Sequence, residues 1–390
     1  MENDFFPRDM RVYNECKTIT DHYSCFAVAP RQNKEKYIEI IDGNIKCYRF
    51  PHFEANILEL LPIEYLNAAF WLFALVTFVV LRHHIRIIHV ANPPDFIIPL
   101  LAWLKIFGVV FIYDIHDLSI ETFKGKKDNQ QGFAVRIILA LLAMFEKLSI
   151  SFSDIIIATN LSIKGYVQGD HPLKKVFVVR NSNPVRFQTI AEIPKKNDPR
   201  MNIGYFGVLA NDKAAGLDNL ISLVKRLKEH TLEFTISVIG DGPGLKPLKR
   251  LVKDNNICEY FEFYGYLSIE LAFQEIINFD FGLVTWGDIP KNNIHTAMKV
   301  MDYMCCGVPV CSLKLKEQMH STQNIAIHTD SFEEMADSIV ELYQKKNEYE
   351  ELRKLTLNHF NTLLSWEHQS RELIRAYECL SADHKFKECS

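Results

Sequence analysis

Ile85-Arg86-Ile87-Ile88-His89-Val90-Ala91 is followed by Asn92-Pro93-Pro94-Asp95, an apolar stretch reaching Phe107, and then Val109-Val110-Phe111-Ile112-Tyr113-Asp114. The outer runs are short, β-branched and bounded by turn residues, which is how strands read, and the stretch between them is long enough for a helix. Strand, helix and strand in that order make a parallel pair. Pro93 and Pro94 cannot continue a ladder, so they end the first strand and set the entry to the helix.

The alternation extends in both directions from this unit. Strands are expected near Cys25–Ala29, Ile38–Ile41, Ile45–Phe50, Ile155–Ala158 and Val176–Val179, and helices near Ile63–Leu81 and Phe133–Phe152, with Asp42-Gly43-Asn44 as a hairpin-type turn. After Asn181 a polar stretch with Pro184, Pro194 and Pro199 reads as a linker. A second alternation follows, with strands near Asn202–Phe206, Phe234–Ile239, Phe261–Tyr264, Asp280–Val284 and Val308–Cys311. Two consecutive doubly wound α/β sheets are therefore expected, with ligands bound at the carboxyl ends of their strands and a cleft between the two domains.

Composition narrows the function classes. The chain has 390 residues, 48% hydrophobic and 24% charged, the balance of an ordinary globular protein. Lys+Arg 44 against Asp+Glu 48 gives a net charge of -4, so no basic field exists to hold nucleic acid. The 9 cysteines form no Cys-x-x-Cys pair, which signals neither a disulfide framework nor a zinc site. A reducing cytoplasm is expected, and Met1-Glu2-Asn3-Asp4 shows no secretory signal. Ala68–Leu81 is almost wholly apolar but, at 14 residues, short of the ~20 needed to span a bilayer. It reads as a core helix or an interfacial one.

Three segments carry chemistry. His116-Asp117 follows a strand, and the pair could orient sugar hydroxyls or polarise a leaving group; the plainer reading makes Asp117 a turn cap and His116 a surface residue. Gly240-Asp241-Gly242-Pro243-Gly244 could bring backbone N–H groups to a phosphate or be only a tight connection. A helix from about Thr296 to Cys305 would put Lys299 and Asp302 on one face, where the cation suits a diphosphate and the carboxylate a ribose diol; alone, they are an ordinary i,i+3 ion pair. There is no P-loop, nucleophile elbow, His-Glu-x-x-His or Asp-x-Asp. His83, His84 and His89 read as packing or surface residues.

In order, Pro7–Val12, Asn92–Asp95, Tyr113–Leu118, Ile203–Gly207, Ile239–Pro243 and Met298–Val310 resemble the two-Rossmann, or GT-B, glycosyltransferases of family 4, especially those building bacterial surface polysaccharides such as lipopolysaccharide and capsule. The resemblance implies an acceptor domain over 1–185, a donor domain over 200–360 and a C-terminal helix and tail over 361–390 that crosses back to the first domain. It implies transfer of a hexosyl group from a nucleotide-diphosphate sugar to a glycan or polyprenyl-linked acceptor, at the cytoplasmic face of the inner membrane, retaining and with no metal or other cofactor. His116 and Asp117 then stand near the transferred sugar; Gly207, Lys213, Gly240, Gly242, Lys299 and Asp302 on the donor; and Asp9, Arg11, Asn92 and Asp95 on the acceptor side. The pattern departs at Ile294, where the family's first acid would fall, at Val208, where an arginine is common, and at Lys213, whose usual glycine neighbour is displaced to Gly216. The family's first strand has no counterpart ahead of Asp9, so native sequence upstream of Met1 is expected. The alternatives are a nucleotide-sugar 2-epimerase on the same fold and a catalytically impaired binding subunit.

Overall fold

A computed structural model of the chain describes residues 5–32, 34–53, 61–126, 132–182, 198–212, 214–323 and 325–384. The chain divides into two units, Met1–Arg180 with Ser370–Ser390, and Asn181–Gln369. The linker expected after Asn181 falls largely on residues 183–197, outside those described.

Unit 1 opens with a turn at Phe6–Arg8 and helix α1, Met10–Ile19, whose N-cap is Asp9: its Oδ1 accepts from the backbone N–H of Arg11 and of Val12, at 3.0 and 3.1 Å. Strands β1 (Cys25–Arg31), β2 (Ile38–Ile41) and β3 (Ile45–Pro51) form a sheet of order β1-β3-β2, with β1 and β3 parallel and β2 and β3 antiparallel across the Asp42-Gly43 turn. Helix α2 (Leu61–His83) follows, 23 residues long and so well beyond the apolar run read from the sequence. Strands β4 (Ile87–Ala91), β5 (Val110–Ile115), β6 (Ile155–Ala158) and β7 (Val176–Val178) form a wholly parallel sheet in that order. Its connections are helix α3 (Ile97–Leu101), continued as a 3₁₀ helix over Ala102–Phe107, then α4 (Ser119–Lys126) and α5 (Phe133–Phe152), then α6 (Leu161–Asp170). One doubly wound sheet was expected here. The strands instead fall into two ladders, and among the described residues none precedes α1 or joins β1 to β4.

Unit 2 is a single six-stranded sheet, all parallel, of order β10-β9-β8-β11-β12-β13. The strands are β8 (Met201–Phe206), β9 (Phe234–Ile239), β10 (Phe261–Gly265), β11 (Phe281–Leu283), β12 (Val310–Leu313) and β13 (Ile327–Thr329). In chain order that is 3-2-1-4-5-6, the doubly wound arrangement, in which the order reverses between β8 and β11. Ile203 and Tyr205 of β8 join a core with α7 (Asn219–Leu227) and its apolar stripe Leu220, Ile221, Val224 and Leu227. On the other side, Phe273, Phe279, Val300 and Tyr303 form a second core. The helix expected over 296–305 is α11, Met298–Met304, separated from α10 (Pro290–Ile294) by extended backbone at His295 and Ala297. The closing helix, α15 (Trp366–His384), starts in unit 2, and its residues from Ser370 belong to unit 1, where the Tyr377 hydroxyl lies 3.0 Å from His89 Nδ1.

Candidate functional site

In unit 2, the carboxyl end of β8 leads into Gly207, beside the point where strand order reverses. That point is where doubly wound sheets bind ligands. Tyr303 fixes α11 over it: its hydroxyl accepts from Phe206 N at 2.8 Å and lies 3.2 Å from Leu283 O of β11. Four residues earlier on the helix surface, the half-buried Lys299 ammonium lies 3.6 Å from the centre of the Tyr205 ring. A Cβ placed on Gly207 would be 3.5 Å from Lys299 Nζ. Lys299 has no hydrogen-bond acceptor among the described residues. Burial pulls its pKa down to about 7, and Asp302 opposes the shift. Asp302 is buried, 8% exposed, on the next turn of the same helix.

The glycine-rich turn has a packing reason as well. Gly240 has φ +140° and lies so close to the Gly207 loop that an added Cβ would sit 2.0 Å from Gly207 O. Gly242, at φ +146°, faces Leu209 O in the same way, and Leu209 N donates to Asp241 O at 3.0 Å. Two loops thus lie backbone to backbone at the carboxyl ends of β8 and β9, which only glycine permits. Gly240→Ala should therefore cost more than about 1 kcal/mol, since the side chain meets backbone and the dihedral is unfavourable. A melting temperature unchanged from wild type would contradict this. Lys213 lies outside the described residues, Val208 is exposed, and Ile294 ends α10.

In unit 1 the carboxyl ends of β4 to β7 converge. Asn92, after β4, is buried: its Oδ1 accepts from His116 N at 2.7 Å, and its Nδ2 donates to Asp117 O and to Asp95 Oδ1, each at 2.8 Å. Asp95 is also buried and accepts from the Tyr113 hydroxyl. Asn92 and Asp95, expected to face an acceptor, instead brace the His116-Asp117 loop from beneath. Asp9 is a helix cap. Arg11, placed on the acceptor side by the resemblance, is turned inward. It forms two bonds to Asp114, at 3.0 and 2.7 Å, and donates to Val179 O at 2.7 Å.

His116 is half-buried, with Nε2 2.6 Å from Asp114 Oδ2. Arg11 Nε–H lies 3.1 Å from the same nitrogen, so Nε2 is taken up by Asp114 and Arg11 and Nδ1 is the ring nitrogen left to meet a ligand. Asp114 is the residue that sequence reasoning passed over. It precedes His116 by two, and that spacing on a strand puts both side chains on one side. Burial alone would raise the Asp114 carboxyl; Arg11, then His116 and His89, hold it well below the usual range. Glu15, His89 and Asp114 each present a ligand atom within 4.8 Å of the others. Arg11 lies 3.1 Å from Glu15 and 2.7 Å from Asp114, so a cation already occupies the centre of that group.

Residues 200–345 match the family model described as glycosyl transferases group 1. No curated protein matches the sequence. Among solved structures, the chain is similar to the sucrose-phosphate synthase of Thermosynechococcus elongatus, at 12% identity and TM-score 0.73 over 96% of this chain and 94% of that one. It is also similar to Anabaena HepE in complex with UDP and glucose, at 15% identity and TM-score 0.66 over 95% and 96% of the two chains. The lipopolysaccharide outer core galactosyltransferase WaaB, at 14% identity, gives TM-score 0.64 over 96% of each chain. The doubly wound second unit thus matches the group 1 glycosyl transferase family model, and the chain shares its fold along nearly its whole length with these proteins.

Proposed function

We propose that the enzyme transfers a hexosyl group from a nucleotide-diphosphate sugar to a glycan or polyprenyl-linked glycan in cell-surface polysaccharide synthesis. The reaction retains anomeric configuration and needs no metal, and it takes place in the cytoplasm at the inner-membrane face. The observation that carries the donor assignment is Lys299, a half-buried cation beside the Gly207 turn without a hydrogen-bond acceptor among the described residues. An ammonium so placed is poorly solvated and gains most from an anion. The diphosphate is that anion, and Asp302 accepts from the ribose hydroxyls. HepE was solved with UDP and glucose, and WaaB is a lipopolysaccharide galactosyltransferase, which supports a nucleotide-sugar donor and a surface-glycan acceptor.

In the reaction the bond from the anomeric carbon to the diphosphate oxygen breaks and the acceptor oxygen bonds to the same face of the sugar. The acceptor proton passes to the departing diphosphate, so no dedicated protein base is needed. His116, its Nε2 taken up by Asp114 and Arg11, offers Nδ1 to a hydroxyl of the reacting sugar. His116→Ala is accordingly expected to lower kcat by about 100-fold or more with donor KM changed little, the pattern of an interaction made in the transition state. A raised KM at intact kcat would make His116 a binding residue only.

The direct test is a panel of nucleotide sugars screened by thermal shift, followed by product analysis with the stabilising donor. A ligand at 100 times its Kd adds about 2.7 kcal/mol. Sugar transferred to an acceptor supports the reading. An epimerised nucleotide sugar, or binding with no turnover on any acceptor, overturns it.

A further inference from the structure

We propose that unit 1 rests on an anionic lipid bilayer through one continuous apolar face made by α2, the α3 segment with its 3₁₀ extension, and α5. This deepens the membrane part of the functional reading and depends on it only for the choice of acceptor.

Helix α2 is apolar all round. Within Ile63–His83 its most apolar 18-residue window has a mean hydropathy of 1.8, yet only 22% of that window is buried. One side, with Ala68, Leu72, Val79 and Val80, is buried in the unit. The opposite side exposes Leu66 at 69% and Phe70 at 64%. A helix with no polar face belongs in a core or in lipid, and α2 is only half enclosed by protein. Its length would allow a span, but the packed side ties it along the unit, so it would lie in the plane of the interface.

The exposure is shared by its neighbours. Ile106, at the end of the 3₁₀ segment, is 77% exposed, and Phe133, at the start of α5, is 81% exposed, with Ile137 a turn later also open. Ring contacts join the three elements: Phe73 of α2 packs on Trp103 at 5.9 Å, Tyr65 of α2 on Phe96 at 6.2 Å, and Phe96 on Phe145 of α5 at 6.3 Å. Scattered apolar residues on a surface need no explanation, but a face joined across three helices does.

Charge selects the occupant. Arg82, at the end of α2, and Arg136 and Lys147, on α5, are exposed and form no ion pair among the described residues. Cations bordering an apolar face suit anionic headgroups around an acyl boundary, whereas a second copy of the same face would bring like charges together.

The test is co-sedimentation of the full chain with vesicles of phosphatidylcholine alone or with about one-third phosphatidylglycerol. Binding is expected to the anionic vesicles and to weaken with salt, because headgroup attraction is screened. Arg82→Ala and Arg136→Ala should each lower the partition coefficient about fivefold. Leu66→Asp with Phe133→Asp should abolish binding while melting temperature and donor-induced thermal shift stay as in wild type. No binding at low salt, or binding unchanged by the two aspartates, overturns the proposal. So does a concentration-dependent dimer that the aspartates dissolve, which would assign the face to a second copy. Vesicle binding without a donor-induced shift would count against the functional reading alone.

Discussion

Lys299→Ala and Asp302→Ala should each weaken nucleotide-diphosphate binding by about 1.5–3 kcal/mol, roughly ten- to more than hundredfold in Kd, with little change in melting temperature of the ligand-free protein. Asp302 shares a helix face with Lys299. Lys299 stands over the Tyr205 ring with no hydrogen-bond acceptor among the described residues, so it is held for a ligand rather than for the fold. Its pKa supplies a second, sharper expectation. Burial holds the free ammonium at about 7, so it is largely neutral at pH 8. A bound diphosphate would raise that pKa toward its ordinary range, and binding would take up a proton. Wild-type affinity should thus fall as pH rises from about 7, by up to tenfold per unit. The Lys299→Ala variant should lose this slope. Calorimetry in buffers of different ionisation enthalpy measures the proton uptake directly. Unchanged affinity in both variants, or a wild-type affinity flat between pH 6.5 and 8.5, would remove the diphosphate from this site.

The strand before Gly207 and the helix carrying Lys299 and Asp302 were readable from the sequence because helix and strand periodicities carry them. Lys299 and Asp302 needed only i,i+3 spacing, and Gly207 only its place after a strand. Tyr205, the ring beneath the ammonium, was not readable as a partner, since a strand residue meets a helix residue nearly a hundred positions away only once sheet order is known. The strand Ile327–Thr329 was missed because three residues on a sheet edge leave too short a pattern.

Unit 1 was harder for a physical reason. Asn92, Asp95 and Arg11 are polar residues near strand ends, where sequence cannot distinguish a side chain facing ligand from one folded beneath the loop. Burial decides it, and all three are buried. Their bonds run to β5 and its following loop, so the polar residues form a platform under His116 rather than a surface beside it. The separation of β1 from β4 into different ladders has the same character: each strand is legible locally, but which strands pair is a property of the whole unit.

Arg11→Met is expected to be the most destabilising of the substitutions considered, by about 3–5 kcal/mol, because it leaves buried carboxylates without their cation. Asp114 is fully buried and Glu15 nearly so, and Arg11 pairs with both. Burial has already pushed Glu15 up to about 7 despite Arg11, with Asp114 adding to the rise. Without the guanidinium, both carboxyls would titrate higher in the folded state than in the unfolded chain. A folded pKa above the unfolded value stabilises at low pH and is lost as pH rises, so the variant's deficit should grow from pH 5 to pH 8. Adding Asp114→Asn should recover part of the loss, since the stranded charge is then gone, although His116 loses its acceptor and turnover stays low. Urea titrations of the wild type, the single variant and the double variant at those two pH values give the full comparison. A single-variant loss below about 1 kcal/mol, or one independent of pH, would mean that Arg11 is not what makes the buried Asp114 and Glu15 tolerable.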